Sequence, residues 1–205
     1  MLDNNLLKCP INLKFDYDWN RVRRVYTRIL EKKAQGNYQS NFQDSYQSTV
    51  YSLGSQGAII SSTCLTDYEW NIWAGPLLEF VLPVEIHDLS NKLLKENLNF
   101  INFGYFIHHG EIKKHSDGIS DIRAKDGHCN VNYVISSSDN HAKTVLYNPE
   151  LNIKEEYPSV VGTTWILDSS SQHWVENTGT REIFQIKIFS PFSQVKQFFA
   201  DQNLI

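Results

Sequence analysis

The segment Lys114-His115-Ser116-Asp117-Gly118 carries two metal-competent side chains with one residue between them. In a strand, side chains two apart point to the same face, so the His115 imidazole and the Asp117 carboxylate can grip one ion from a single short segment. A pattern this short recurs by chance, and it gains weight only from residues further along the chain. There His173 begins a second strand, Gly179 marks a turn, and Arg181 opens the strand that returns. Two His and one carboxylate on one face, with coordination positions left open, form the facial triad that favours Fe(II) and O2 chemistry.

Arg181 supplies the second half of that chemistry. A turn around Thr178-Gly179 would set it across from Glu176, roughly 10 Å from His173 at the usual strand rise. A guanidinium at that depth suits the remote carboxylate of a diacid whose other end chelates a metal; a salt bridge to a surface carboxylate is the alternative. Face alternation supports a pocket. Phe184, Ile186 and Ile188 share one face of their strand and Arg181, Ile183, Gln185 and Lys187 the other, while Asn130 and Asn132 oppose Val131, Tyr133 and Ile135. If helices cover the apolar faces, Asn130, Asn132 and Gln185 line the interior; exposure on an edge strand explains them equally. Of the other histidines, His108 and His109 sit beside the turn before the first motif, exposed in a loop unless one turns into the pocket. His128 and His141 fall in polar loops and are expected in solvent, and Asp168 is expected to cap the turn before His173.

The elements that must hold these residues are mostly strands. Leu98 to His108, Glu111 to Asp117, Asn130 to Ser136, Lys143 to Tyr147, Thr163 to Leu167, His173 to Glu176 and Arg181 to Phe189 are short, rich in β-branched and aromatic residues, and separated by Asp, Asn, Gly and Ser. Before them, Trp19, Val22, Tyr26, Ile29 and Leu30 recur at helical spacing between Asp16 and Ala34. Ile86, Leu89, Leu93 and Leu94 share a face of a second helix after Pro83, with His87 on its surface. Gly36 to Gly75 reads as hairpins and loops, with strand-like pieces at Ser48 to Leu53 and Ala58 to Ser62. Ser190-Pro191 opens a final helix carrying Val195, Phe198 and Phe199. The sum is a mainly β, double-stranded β-helix (jelly-roll) barrel buttressed by N-terminal helices and a short C-terminal helix. It is expected as a single domain over residues 1–205: helices and hairpins over 1–96, the jelly-roll core over 97–190, the last helix over 191–205.

Composition sets outer limits. A chain of 205 residues with 41% hydrophobic, 20% charged and 13% aromatic residues can bury one core and is too short for two large domains. A formal net charge of -4 argues against a surface built to neutralise phosphates, so nucleic acid is unsupported as a partner. The one basic cluster, Arg21, Arg23, Arg24, Arg28, Lys32 and Lys33, fits the wet face of the first helix. The start lacks a leader-like run and no stretch is long enough to span a bilayer, so a cytoplasmic protein is expected. Cys9, Cys64 and Cys129 are too widely spaced for a zinc site or a disulfide framework and are expected as buried thiols.

From Tyr105 to Phe189, the H-x-D pair, the distal His and the Arg on the next strand resemble the iron(II)- and 2-oxoglutarate-dependent dioxygenases. Cys129 to Ile135 followed by Lys143 to Tyr147 looks like the strand pair that prolyl-hydroxylase-like members place between their ligands, and Thr164 to His173 looks like the matching part of aspartyl/asparaginyl hydroxylases. The resemblance implies that His115, Asp117 and His173 ligate Fe(II), that Arg181 clamps the C5 carboxylate of 2-oxoglutarate, and that Tyr105 hydrogen-bonds the same acid. Asn132 joins them as a cosubstrate-pocket candidate. It further implies consumption of O2, conversion of 2-oxoglutarate to succinate, and hydroxylation of a protein side chain or small molecule. Many members carry Ser or Thr two residues after the Arg, where this chain has Ile183. A non-catalytic jelly-roll ligand-binding module and a cupin-type metalloenzyme that uses no keto acid are the competing expectations.

Overall fold

Strands that alternate apolar and polar side chains have one face to bury and one to spare, and two such sheets satisfy each other by packing face to face. The computed structural model describes residues 6–21, 23–24, 58–61, 68–74, 89, 92–93, 95–96, 98–117 and 127–205, with 58–61, 68–74, 99–105 and 109 described by backbone alone. Among these residues the strands are β1 (Lys8–Ile11), β2 (Ala58–Ser61), β3 (Tyr68–Ala74), β4 (Asn99–His109), β5 (Ile112–His115), β6 (Cys129–Ser137), β7 (Lys143–Asn148), β8 (Ile153–Pro158), β9 (Thr164–Asp168), β10 (Gln172–Glu176) and β11 (Thr180–Phe189), followed by helix α1 (Phe192–Asp201). The major sheet runs β1-β9-β6-β11-β4-β3-β2 and the minor sheet β5-β10-β7-β8, with every pairing antiparallel. From β4 onward the chain passes repeatedly between the two sheets. That crossing pattern makes a jelly roll, as the strand spacing predicts.

The apolar face of the major sheet is covered. Cys129, Val131, Ile135, Phe184, Ile186 and Ile188 from β6 and β11 pack with Leu89, Leu93, Val195, Phe198 and Phe199. Fully burying each large side chain contributes roughly 1.5–3 kcal/mol. Phe15 meets Tyr133 and Phe184 edge-on at 5.2 and 5.4 Å, and Trp19 stacks on Tyr133 at 5.8 Å. α1 starts after Pro191, whose φ of -56° suits a helix entry. It closes where Asn203 turns left-handed at φ 58° and the Leu204 N–H donates back to Phe199 O at 3.0 Å. With helices on that side, the other face of β6 and β11 looks inward.

Three expectations need correction. Asp117 does not share a strand with His115: β5 ends at His115, and Asp117 lies in the bend beyond it. β10 and β11 do not form a hairpin that sets Arg181 against Glu176. They lie in different sheets, and Arg181 pairs with His108 on β4 and Ser137 on β6. Arg23 does not simply face water, since its guanidinium forks onto Glu182 of β11 with Nε–Oε2 at 2.8 Å and Nη2–Oε2 at 2.5 Å. β1 and β8 are strands the sequence pattern did not announce.

Of the first helix, Trp19 to Arg21, Arg23 and Arg24 are helical; Val22, Tyr26, Ile29, Leu30, Arg28, Lys32 and Lys33 lie outside the described residues, as do Ile86, His87, Leu94, Cys64 and the piece at Ser48 to Leu53. Cys9 and Cys129 are buried, as expected of them. Among the described residues no helix is long and apolar enough to cross a membrane.

Candidate metal centre

β5 and β10 are neighbours in the minor sheet, and His115 stands directly opposite His173 in their register. Their rings lie 4.3 Å apart between centroids. Asp117 is brought to them by the bend after β5, where its N–H donates to Ser169 O at 3.0 Å. The ligating atoms of His115, Asp117 and His173 all lie within 4.8 Å of one another and could hold a metal ion. Only the Asp117 part of this cluster depends on a turn instead of a ladder.

Both imidazoles are oriented alike. His115 Nδ1 donates to Lys113 O at 2.7 Å and His173 Nδ1 to Ser171 O at 3.0 Å, in each case the carbonyl two residues back. A carbonyl only accepts, so both rings carry the proton on Nδ1 and leave the Nε2 lone pair free. The two Nε2 atoms face the same oxygen, Asp117 Oδ1, at 3.6 and 3.8 Å. Those separations are too long for hydrogen bonds and suit three donors disposed around a common centre. Two imidazoles and one carboxylate oxygen match the donor set of a non-haem Fe(II) site.

The other Asp117 oxygen is held separately. Oδ2 accepts from Asn130 Nδ2 at 2.9 Å and lies 3.5 Å from Lys187 Nζ and 4.0 Å from His128 Nδ1. Burial pushes the Asp117 carboxyl up, but Lys187, His173, His128 and His115 together outweigh it and hold the group far below the usual carboxylate range. His173 shifts downward, chiefly through burial against the pull of Asp117, which favours the neutral ring that a metal requires.

The turn between β9 and β10 organises this end of the barrel. Asp168 accepts Ser170 N–H at 3.2 Å, the Ser170 hydroxyl, and Ser171 Oγ–H at 2.8 Å, which is the turn-capping role expected of it. Ser169 and Ser170 N–H both donate to His128 O, at 3.0 and 3.2 Å. His128, expected in solvent, is 1% exposed, contacts Ser169 Oγ through Nδ1 at 2.9 Å and lies against Phe189. His141 is exposed.

Arg181 lies deep in the same barrel at 2% exposure. Nη1 donates to Thr144 Oγ1 at 2.8 Å and Ser159 Oγ at 3.1 Å, and Nη2 meets His108 Nδ1 at 3.0 Å. Its Nε has no hydrogen-bond partner among the described residues, and its three partners carry no carboxylate. His108, expected in a loop, is a buried strand residue opposite Arg181. Asn132 is buried on the inward face, accepting from Gln185 Nε2 at 2.9 Å and donating to Tyr157 OH of the opposite sheet at 3.2 Å. Tyr105 pairs with Phe184, out of phase with the His108–Arg181 pair, and its side chain lies outside the described residues. Sequence reasoning missed His128, Thr144 and Ser159, and weighed His108 as a pocket residue only as the alternative to a loop position. Lys187 and Asn130 were visible as inward-facing positions but not as neighbours of Asp117.

Sheet order and crossing pattern give the chain a jelly-roll fold like that of 2OG-Fe(II) oxygenase structures. Among solved structures, a Pseudomonas putida prolyl-4-hydroxylase is similar with a TM-score of 0.50 at 10% identity, over 88% of this chain and 91% of that one. AviO1 from Streptomyces viridochromogenes Tue57 gives 0.48 at 10% identity over 89% of each chain. An oxidoreductase of the 2OG-Fe(II) oxygenase family from Burkholderia pseudomallei gives 0.36 at 13% identity over 44% of each. No protein-family model and no curated protein matches the chain. Likeness at this level is one of fold, and the chemistry has to be argued from the residues.

Proposed function

We propose that this protein is an Fe(II)- and 2-oxoglutarate-dependent dioxygenase, a hydroxylase acting on a protein side chain or a small molecule. The observation that carries it is the convergence of two imidazole Nε2 atoms on Asp117 Oδ1 in a barrel that also buries Arg181 with no carboxylate among its described partners. His115, Asp117 and His173 would hold Fe(II). With O2, that ion supplies the redox chemistry that couples 2-oxoglutarate decarboxylation to succinate and CO2 with conversion of a C–H bond to C–OH.

The protein's own contributions follow from the geometry. The two Nδ1–H bonds to backbone fix both imidazole tautomers before any ligand arrives, so no ring has to reorient. Arg181 would take the distal carboxylate of 2-oxoglutarate with its Nε and the adjoining Nη2, while Thr144 and Ser159 keep the guanidinium plane still. Asn132, fixed by Gln185 and Tyr157, would line the wall of that pocket. The barrel walls exclude water from the acid, which strengthens each of these contacts. We place this machinery in a single domain spanning residues 1–205, in the cytoplasm.

The test is anaerobic addition of Fe(II), then 2-oxoglutarate, to wild type, His115→Ala and Arg181→Ala, following the weak visible absorption of a metal-chelated keto acid. The wild type should show the band, His115→Ala should lose it, and Arg181→Ala should need at least ~30-fold more 2-oxoglutarate, as expected for a lost buried charge contact. Folded, iron-loaded wild type without the band overturns the dioxygenase reading and favours a ligand-binding jelly roll.

A further inference from the structure

Resting on the metal-binding reading above, we propose that Asn130 and Lys187 are positioning residues that hold Asp117 Oδ2 off the metal. The carboxylate then offers one oxygen, Oδ1, and the remaining coordination positions stay open for ligands. A carboxylate beside a divalent ion gains by chelating with both oxygens, as bidentate acidic ligands do in calcium sites. Here the two oxygens are sorted. Oδ1 faces both imidazole Nε2 atoms, while Oδ2 faces the Asn130 amide at 2.9 Å and the Lys187 ammonium at 3.5 Å.

The sorting is built into the sheet. Asn130 and Lys187 are direct partners in the β6–β11 register, so their side chains leave the same face side by side. β6 and β11 are both interior strands, flanked by β9 and β4, which leaves the pair little freedom to drift. Asn130 is 3% exposed, and its Oδ1 has no hydrogen-bond partner among the described residues. An amide kept at that cost, of about 1–3 kcal/mol for an unmet buried acceptor, points to a task for its donor end, and that end is on Asp117 Oδ2. An ammonium this close to a metal ligand also repels an incoming cation. Lys187 thus weakens metal binding while shaping it, whereas a side chain with a merely structural role would strengthen the site by its presence.

The test uses Co(II) as probe on the full chain, because its weak visible absorption reports coordination number and geometry. Lys187→Met, Lys187→Arg, Asn130→Ala and His115→Ala are compared with wild type by titration and spectrum, after thermal melts confirm folding. The clamp predicts an altered Co(II) spectrum in both Lys187→Met and Asn130→Ala, about tenfold tighter binding in Lys187→Met as the charge repulsion is relieved, and a wild-type spectrum in Lys187→Arg. Asn130→Ala changes no charge, so its spectrum separates release of Oδ2 from simple loss of repulsion. Wild-type spectra in Lys187→Met and Asn130→Ala, or weaker binding in folded Lys187→Met, overturn the clamp and leave the triad standing. Wild type that binds no Co(II), or binds it as His115→Ala does, overturns the metal reading itself.

Discussion

Asp168 touches none of the candidate ligands, yet two of them depend on the turn it closes. Its carboxylate gathers Ser170 and Ser171, and from that turn Ser169 O receives the Asp117 N–H while Ser171 O receives His173 Nδ1. Asp168→Ala should cost ~1–3 kcal/mol in urea unfolding, for hydrogen bonds to a charged acceptor. It should also weaken Co(II) binding about tenfold, as loss of a supporting contact around a metal site does; unchanged affinity in calorimetric titration would show that the turn holds without its cap. At this scale the cluster itself is legible in the sequence, because His115, Asp117, His173 and Arg181 are side chains whose types announce chemistry. Their supports are not. His128 is followed by Cys129 and preceded by Gly127, a context that looks like loop, whereas the bonds from Ser169 and Ser170 to its carbonyl and the Phe189 ring against its own hold it in the interior. Thr144 and Ser159 reach Arg181 across the barrel, and nothing local in sequence ties either of them to it.

Between β10 and β11 the chain changes sheets, and Asp139 secures that crossing from the β6–β7 loop. Its Oδ2 accepts Thr178 N–H at 2.7 Å and Thr178 Oγ1–H at 2.9 Å, and its Oδ1 accepts His141 N–H at 2.8 Å. The Thr178 N–H, then the His141 N–H and the Thr178 hydroxyl, hold the Asp139 carboxyl below its ordinary value. A carboxyl depressed in the folded state stabilises above its unfolded value, near ~3.9, and that contribution fades as pH falls through the lower folded value. Acid unfolding of wild type should therefore lose this crossing only below about pH 4, while Asp139→Asn should lack that part of the acid limb; superimposable acid limbs would mean the contact carries no stability. The strands flanking the crossing were legible because β-branched and aromatic runs alternate there. β8 was not: Lys154, Glu155 and Glu156 fill half of it, and as an edge of the minor sheet it buries only Tyr157. β1 hides for a related reason, since Pro10 is tolerated only because β1 is an edge strand paired on one side.

Across the molecule, the helix that covers the major sheet and the cluster at the barrel's end are joined through Gly127. Its φ is 124°, a left-handed region that favours glycine, and a Cβ there would meet Pro191 Cα at 2.8 Å and Pro191 N at 3.1 Å. Pro191 is the N-cap of α1, and the residue after Gly127 is His128, beside Asp117. Backbone cannot swing aside as a side chain does, so Gly127→Ala should lower stability by ~2–4 kcal/mol through strain and overpacking together. Gly162→Ala is the matched control, with φ 81° but nothing within 4 Å of the added methyl. It should cost roughly 1 kcal/mol, the price of the left-handed backbone alone. Equal midpoints in chemical denaturation for the two variants would show that the contact with Pro191 relaxes freely.

The chain as a whole carries a formal net charge of -4, and from a distance its field turns acids away. Arg181, 2% exposed and surrounded by Thr144, Ser159 and His108, obeys a different rule. Surface charges fade within a Debye length of ~8 Å at physiological ionic strength, because mobile ions crowd around them. The ionic atmosphere has no room inside a packed barrel. An acid bound beside Arg181, as proposed above, would meet a positive charge that salt hardly dulls, and its affinity would be set by depth and not by the sign the protein shows to solution.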